Sequence, residues 1–230
     1  ASKPYVKGDF VSGFASVNRL FSNHASISAG SRKWYLTLGG TYAKAGDLRT
    51  PDGILPNSHY TTDNISAKFG VKPFTNHLFR IQYQRNWSKD VGIPGGNAFP
   101  GPATATYTDI GRHLLSASYS ITGITEKLSS LELKYFTQYI VRDVSLEPNT
   151  VTNTTLPNGN VQRTTPEVFY PFGKHLTNGV QLQSTWDLTA NNVLIAGVDV
   201  WGRNLTTGRE KHITVDVLNP AGDILKTNNL

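Results

Sequence analysis

The feature that most constrains this chain is the way its segments are joined. Stretches in which apolar and polar residues alternate with period 2 are connected by a short turn, then by a long polar stretch, then by a short turn again. The short joints are Gly30-Ser31-Arg32, Thr75-Asn76, Gly123 to Ser129 and Ala190-Asn191-Asn192. The long ones run over 46–61, 88–111, 144–174 and 203–230. Period-2 alternation is the signature of a β-strand with two unlike faces. In an up-and-down antiparallel sheet every second joint lies at the same end. One rim is therefore predicted to be trimmed and the other to carry the loops.

The alternation repeats along the chain. In 33–43, Trp34, Leu36, Leu38 and Tyr42 share one face, against Lys33, Thr37 and Thr41 on the other. In 64–72, Ile65, Ala67, Phe69 and Val71 oppose Asn64, Ser66 and Lys68. In 77–88, Phe79, Ile81, Tyr83 and Trp87 oppose Arg80, Gln82, Gln84 and Asn86. The same holds for 114–121, 131–142 and 178–188, and less cleanly for 193–203. With two further candidates at about 9–19 and 24–30, the sequence predicts about nine strands and no amphipathic helix.

Alternation alone does not say which face is wet. A soluble barrel keeps its apolar face inside, whereas a membrane barrel turns it to lipid and lines its lumen with polar residues. Three observations favour the second case. Trp34 and Tyr42, and likewise Phe79 and Trp87, lie on one face eight positions apart. That is about 20 Å along a membrane normal for a tilted strand, which suits two aromatic girdles around an apolar band. Arg80, Glu132, Lys134, Arg142 and Asp187 fall on the opposite face, where they would be costly in a small dry core. The loops are confined to one rim. Mean hydropathy of −0.31 is compatible with barrel strands, and no run approaches the 18 apolar residues of a spanning helix. Arg85 has the parity of the apolar face and is expected to snorkel toward the rim.

Cysteine is absent, so disulfides and thiolate chemistry are excluded. No G-x-S-x-G, P-loop, H-E-x-x-H or dinucleotide fingerprint occurs, and neither catalytic residues nor a cofactor are expected. The net charge of +6 is scattered rather than clustered, which gives no nucleic-acid footprint. Asp47 and Asp52 are too few oxygen ligands for calcium, and Pro51-Asp52-Gly53 reads as a turn. His59, His113, His175 and His212 are expected near the looped rim, and His24 and His77 near the trimmed one, without metal-ligand spacing.

Two stretches carry a family resemblance: Tyr42-Ala43-Lys44-Ala45-Gly46-Asp47-Leu48-Arg49-Thr50-Pro51-Asp52-Gly53, and Phe79 to Arg85 followed by Asp90-Val91-Gly92-Ile93-Pro94-Gly95-Gly96. So does Gly197 to Leu205 with Arg209-Glu210-Lys211 after it. The set resembles the strand-and-loop pattern of TonB-dependent outer-membrane receptors. The resemblance implies a plugged barrel of about 22 strands in the bacterial outer membrane. It also implies import of an iron-siderophore, haem or cobalamin with energy passed from the inner membrane by TonB. No plug-like segment or energy-coupling box is seen. The chain starts Ala1-Ser2-Lys3 without an initiator or signal peptide, and Asn228-Asn229-Leu230 lacks the terminal aromatic of a last strand. Residues 1–230 are therefore expected to form a single partial barrel domain from the middle of such a receptor. Its partners would be outer-membrane lipid, TonB through the missing plug, and a small metal chelate or vitamin.

Loops on a rigid scaffold are where ligand contacts usually sit. The candidate contacts are His59, Phe99, Tyr107, Arg163, Phe169, Tyr170, Lys174 and His175. Two alternatives remain at this stage: a small self-contained barrel acting as passive pore or adhesin, and a soluble β-rich binding domain.

Overall fold

The computed structural model describes residues 3–95 and 103–230. Its strands are β1 (Tyr5–Ala15), β2 (Leu20–Gly30), β3 (Trp34–Ala45), β4 (Leu48–Thr50), β5 (Gly53–Leu55), β6 (Tyr60–Val71) and β7 (His77–Ile93). They continue with β8 (Thr104–Thr122), β9 (Leu128–Glu147), β10 (Thr152–Thr155), β11 (Val161–Thr189), β12 (Asn192–Leu218) and β13 (Ile224–Asn229). Ten strands pair antiparallel in the order β1-β2-β3-β6-β7-β8-β9-β11-β12-β13, and β10 adds to β11 to make an 11-stranded sheet. β4 and β5 form a separate small hairpin. The fold is all-β and up-and-down, as the joint pattern predicts. Among the described residues the sheet is not closed: β1 pairs only with β2, and β12 meets β13 only over Thr214–Leu218.

The trimmed rim is as expected, with joints at 31–33, 72–76, 123–127 and 190–191. Gly123 supplies the left-handed backbone (φ 64°) that turns β8 toward β9. The other rim needs correction. Its first joint, 16–19, is short, because the first two strands are β1 and β2 rather than 9–19 and 24–30. The stretches read as loops at 88–111, 144–174 and 203–230 are largely strand. β11 has 29 residues and spans about 95 Å, against 12 residues and about 40 Å for β3. Where both faces of a strand are wet, alternation disappears although neighbouring strands still supply the backbone hydrogen bonds.

Directly opposed residues share a face, and the pairing carries parity across the whole sheet. One such row runs Val6, Ala29, Leu36, Phe69, Ile81, Ala117, Tyr135, Val180, Val200. The next row on the other face runs Tyr5, Gly30, Tyr35, Gly70, Arg80, Ser118, Lys134, Gln181, Asp199. The apolar face is solvent-open over its middle: Ile27, Leu38, Ile65, Leu133 and Val198 are all exposed. Register shifts occur at Tyr107/Asp109, Pro166/Val168, Thr185/Trp186, Asp187/Thr189 and Val217/Leu218, all toward strand ends. The central band has none.

Aromatic rings lie over opposing glycines in four cross-strand pairs: Tyr35 over Gly70, Trp87 over Gly111, Phe136 over Gly179 and Phe172 over Gly208. A Cβ at any of these glycines would overlap the ring. Each glycine thus gives an aromatic side chain a flat seat on the neighbouring strand. At the upper end of the apolar face, Arg85 pairs with Asp63 and its guanidinium lies 5.3 Å from the Trp87 ring centroid. The Trp87 indole donates to Asp109 at 2.8 Å. Arg85 is thus neutralised where it stands, by a carboxylate on the adjacent strand, rather than simply reaching for water. The polar tips of Tyr83 and Tyr119 meet His113 (2.9 Å) and His77 (2.6 Å) on this face.

The looped rim is laced together. Asp47 accepts hydrogen bonds from the Ser58 amide (2.8 Å), the His59 amide (3.0 Å) and approaches the His59 ring at 3.1 Å. The Ser58 amide bond, foremost, holds the Asp47 carboxyl below its ordinary value of 3.8. Asn57 donates to the carbonyls of Ile93 (3.1 Å) and Ala105 (2.6 Å), and accepts from Thr106 (3.0 Å). Gly46 and Arg49 donate to the carbonyls of Asn18 and Val17. The β4–β5 loop is therefore tied to the β1–β2 turn on one side and to the β7–β8 extension on the other.

Replacing Gly111 by Val should destabilise the folded chain by about 1–3 kcal/mol, the usual cost of overpacking. Combined with Trp87→Ala the penalty should be less than additive, as read from denaturant midpoints in detergent. Because the Asp47 pKa is lowered on folding, its clamp is at full strength above the unfolded value of 3.8 and is lost as pH falls through the folded pKa. Protection of the Ser58 and His59 amides from exchange should hold from neutral pH down to that region and collapse below it. In Asp47→Asn the acid-dependent step should vanish.

Candidate functional site

The polar face carries the candidate site. Along β11 the polar-face residues Thr177 and Gly179 are buried, while Leu176, Val180 and Leu182 on the apolar face stay exposed. The polar side is therefore the concave one. Two cavities open on it. One, of about 280 Å³, is lined by Lys68, Arg80, Gln82, Ser118, Glu132 and Lys134. The other, of about 220 Å³, is lined by His24, Thr41, Asn64, Ser66, Gln84 and Asn86.

Strand geometry sets the chemistry of this wall. Arg80 donates to Glu132 at 2.6 Å and, through Nε, to Ser118 at 3.2 Å, so its charge is matched within the wall. Higher up, Arg112 donates from Nε to Gln138 (2.7 Å), and Arg203 from Nε to Thr177 (3.3 Å) with its guanidinium 5.6 Å from the Trp201 centroid. His24 touches the Thr41 hydroxyl at 2.8 Å and lies 3.5 Å from Asp9. It sits mid-strand on the polar face, not at the trimmed rim, because β2 begins four residues before it. Among the described residues no group of three or more His, Asp or Glu is placed to hold a metal ion.

The candidate ligand contacts scatter. His59 belongs to the loop clamp: its ring meets Asp47, and its carbonyl accepts the Gly92 amide at 2.9 Å. Tyr107 is in β8 beside a bulge, opposite Val91 and Val144. Arg163 opens β11, opposite Asn153 and Asp216. Tyr170 and Lys174 come together around a cavity of about 300 Å³ with Asp143, Phe172 and Glu210. Here Tyr170 packs edge-on against His212 and Lys174 lies over Phe172. His175, next in the chain to Lys174, points to the opposite, concave face, because 161–174 is strand and consecutive residues alternate. Phe169 lies opposite Lys211, whose ammonium is 5.8 Å from its ring centroid. Phe99 lies outside the described residues.

Reading residues as loop or strand missed Arg112, Arg142 and Arg203 as a group. Parity puts Arg142 on the polar face with Gln138, but what joins it to Arg112 and Arg203 is the register between strands, which alternation within a segment does not carry.

No family model matches the chain, and no curated protein sequence matches it. Among solved structures it is similar to the chain titled "Copper transporter OprC", with a TM-score of 0.68 at 16% sequence identity. The likeness covers 94% of this chain and 33% of that one, so this chain spans about a third of that neighbour's length. At that identity the likeness is one of fold: an antiparallel up-and-down wall of the barrel type.

Proposed function

We propose that this chain forms part of the wall of an outer-membrane transport receptor in a bacterial cell. Its apolar face meets lipid, its concave polar face lines the path of the transported molecule, and its long-stranded rim faces the outside. The observation that carries this reading is the unbroken parity across nine strands, which keeps Leu36, Phe69, Ile81 and Val180 on one face and Arg80, Lys134 and Gln181 on the other. Lipid tolerates no open sheet edge, so the free sides of β1 and β12 call for further strands. The fold likeness over a third of a larger transporter is compatible with such a wall. The role is capture and passage rather than catalysis. The cargo would be a scarce nutrient chelate of the iron-siderophore, haem or cobalamin class, with TonB supplying the energy through a plug.

Two measurements test the reading. In single-tryptophan variants of the receptor in vesicles, Trp34 and Trp87 should be quenched by brominated lipid acyl chains, and Trp201 by aqueous acrylamide. Lipid quenching of Trp201 would invert the faces and sink the proposal. Cells carrying the receptor should take up labelled ferric chelate, haem or cobalamin only while the inner membrane is energised. Uptake indifferent to energy would favour a passive pore.

A further inference from the structure

Among the arginines of the central sheet, two are neutralised in place. Arg80 has Glu132 and Arg85 has Asp63. Three on the upper concave wall are treated differently. Arg112, Arg142 and Arg203 have no carboxylate within ion-pair distance among the described residues. Register places them in a zigzag across β8, β9, β11 and β12: Arg112 and His175 share the row through Ile140, Arg142 lies one same-face step above it and Arg203 one step below. Arg112 opposes Ile140, and Arg142 is the next same-face residue on β9. Arg142 opposes Gly173, and His175 is the next on β11. His175 opposes Leu205, and Arg203 is the next on β12. Each step is a diagonal cross-strand neighbour at about 7–8 Å, close enough for long side chains to converge.

The orientation matters as much as the charge. Arg112 and Arg203 each spend Nε on a neutral acceptor, Gln138 or Thr177, which fixes the guanidinium plane while leaving both terminal nitrogens without a protein partner among the described residues. Trp201 supports the Arg203 group from one side. A fixed fork with two free N–H ends is the geometry that binds a carboxylate or phosphate through paired bonds. The nearest same-face carboxylate on β12, Asp199, lies two same-face positions from Arg203 and accepts from Gln181 at 2.9 Å. On a concave surface such like charges also focus their field on the space in front of them.

We propose that the Arg112–Arg142–His175–Arg203 cluster is a binding site for an oxyanion-bearing cargo, so that the receptor selects an anionic chelate over a bare cation or a neutral one. This rests on the polar face lining the lumen. The receptor polypeptide in detergent should bind ferric citrate or inorganic pyrophosphate, and the stronger of the two identifies carboxylate or phosphate as the preferred oxyanion. The triple variant Arg112→Gln, Arg142→Gln, Arg203→Gln should weaken that binding at least tenfold. The triple Lys variant, with charge but no fork, should fall between. A neutral hydroxamate iron chelate should be unaffected by either. Equal binding of the anions by the Gln variant and the native protein, or an equal loss for the neutral probe, overturns the site, as does failure of the native protein to bind either anion. Lipid quenching of Trp201 would instead overturn the assignment of faces on which the site rests.

Discussion

Register is the constraint on which the rest of this structure depends. In a sheet the side-chain period is 2, so a slip of one residue between any two strands would move every residue beyond it to the other face. In the proposed orientation such a slip would bring Arg80, Lys134 and Arg112 to the lipid side. A charge on that side costs from about 2–4 kcal/mol at the midplane down to about 1 kcal/mol near the girdles, where these three lie. Parity is unbroken from β1 to β12 through the central band, and the bulges are held toward the strand ends. There both faces are wet and the penalty for a misplaced residue is small.

Two devices pin the register. The aromatic–glycine pairs are self-locating, because Trp87 fits only opposite a residue without a Cβ, and Gly111 is that residue. Polar residues on the apolar face are matched across strands, as Asp63 with Arg85 and Tyr83 with His113. Either kind of match fails if a strand shifts. The looped rim extends the same logic. Asn57 bonds to both β7 and β8, so the first loop holds the extended hairpin at a set distance from the β1–β2 turn.

The strands of the central band were legible because their alternation is strong. Residues 33–43, 64–72 and 77–88 each lie within a strand, and their apolar and polar sets fall on opposite faces. The trimmed rim was legible from its turn residues. The upper reaches were not. Residues such as Thr152–Thr155 or Arg163 carry polar side chains on both faces, and no periodic signal distinguishes such a strand from a loop. The candidate contacts suffered for the same reason. Lys174 and His175 read as neighbours in a loop but are parted by the pleat, and Arg112, Arg142 and Arg203 are scattered through three strands.

The sequence by itself determined the strand class, the short joints of the trimmed rim, and the two incompatible faces, because these depend only on residue order and a fixed pleat. Only the tertiary structure decided which polar residues meet. Arg112, Arg142, His175 and Arg203 come from β8, β9, β11 and β12, and nothing local brings them together. Their assembly depends on the registers of three strand pairs at once, set by contacts across the sheet. The tertiary structure also decided that the polar side is concave, since curvature belongs to the whole sheet and to no single strand.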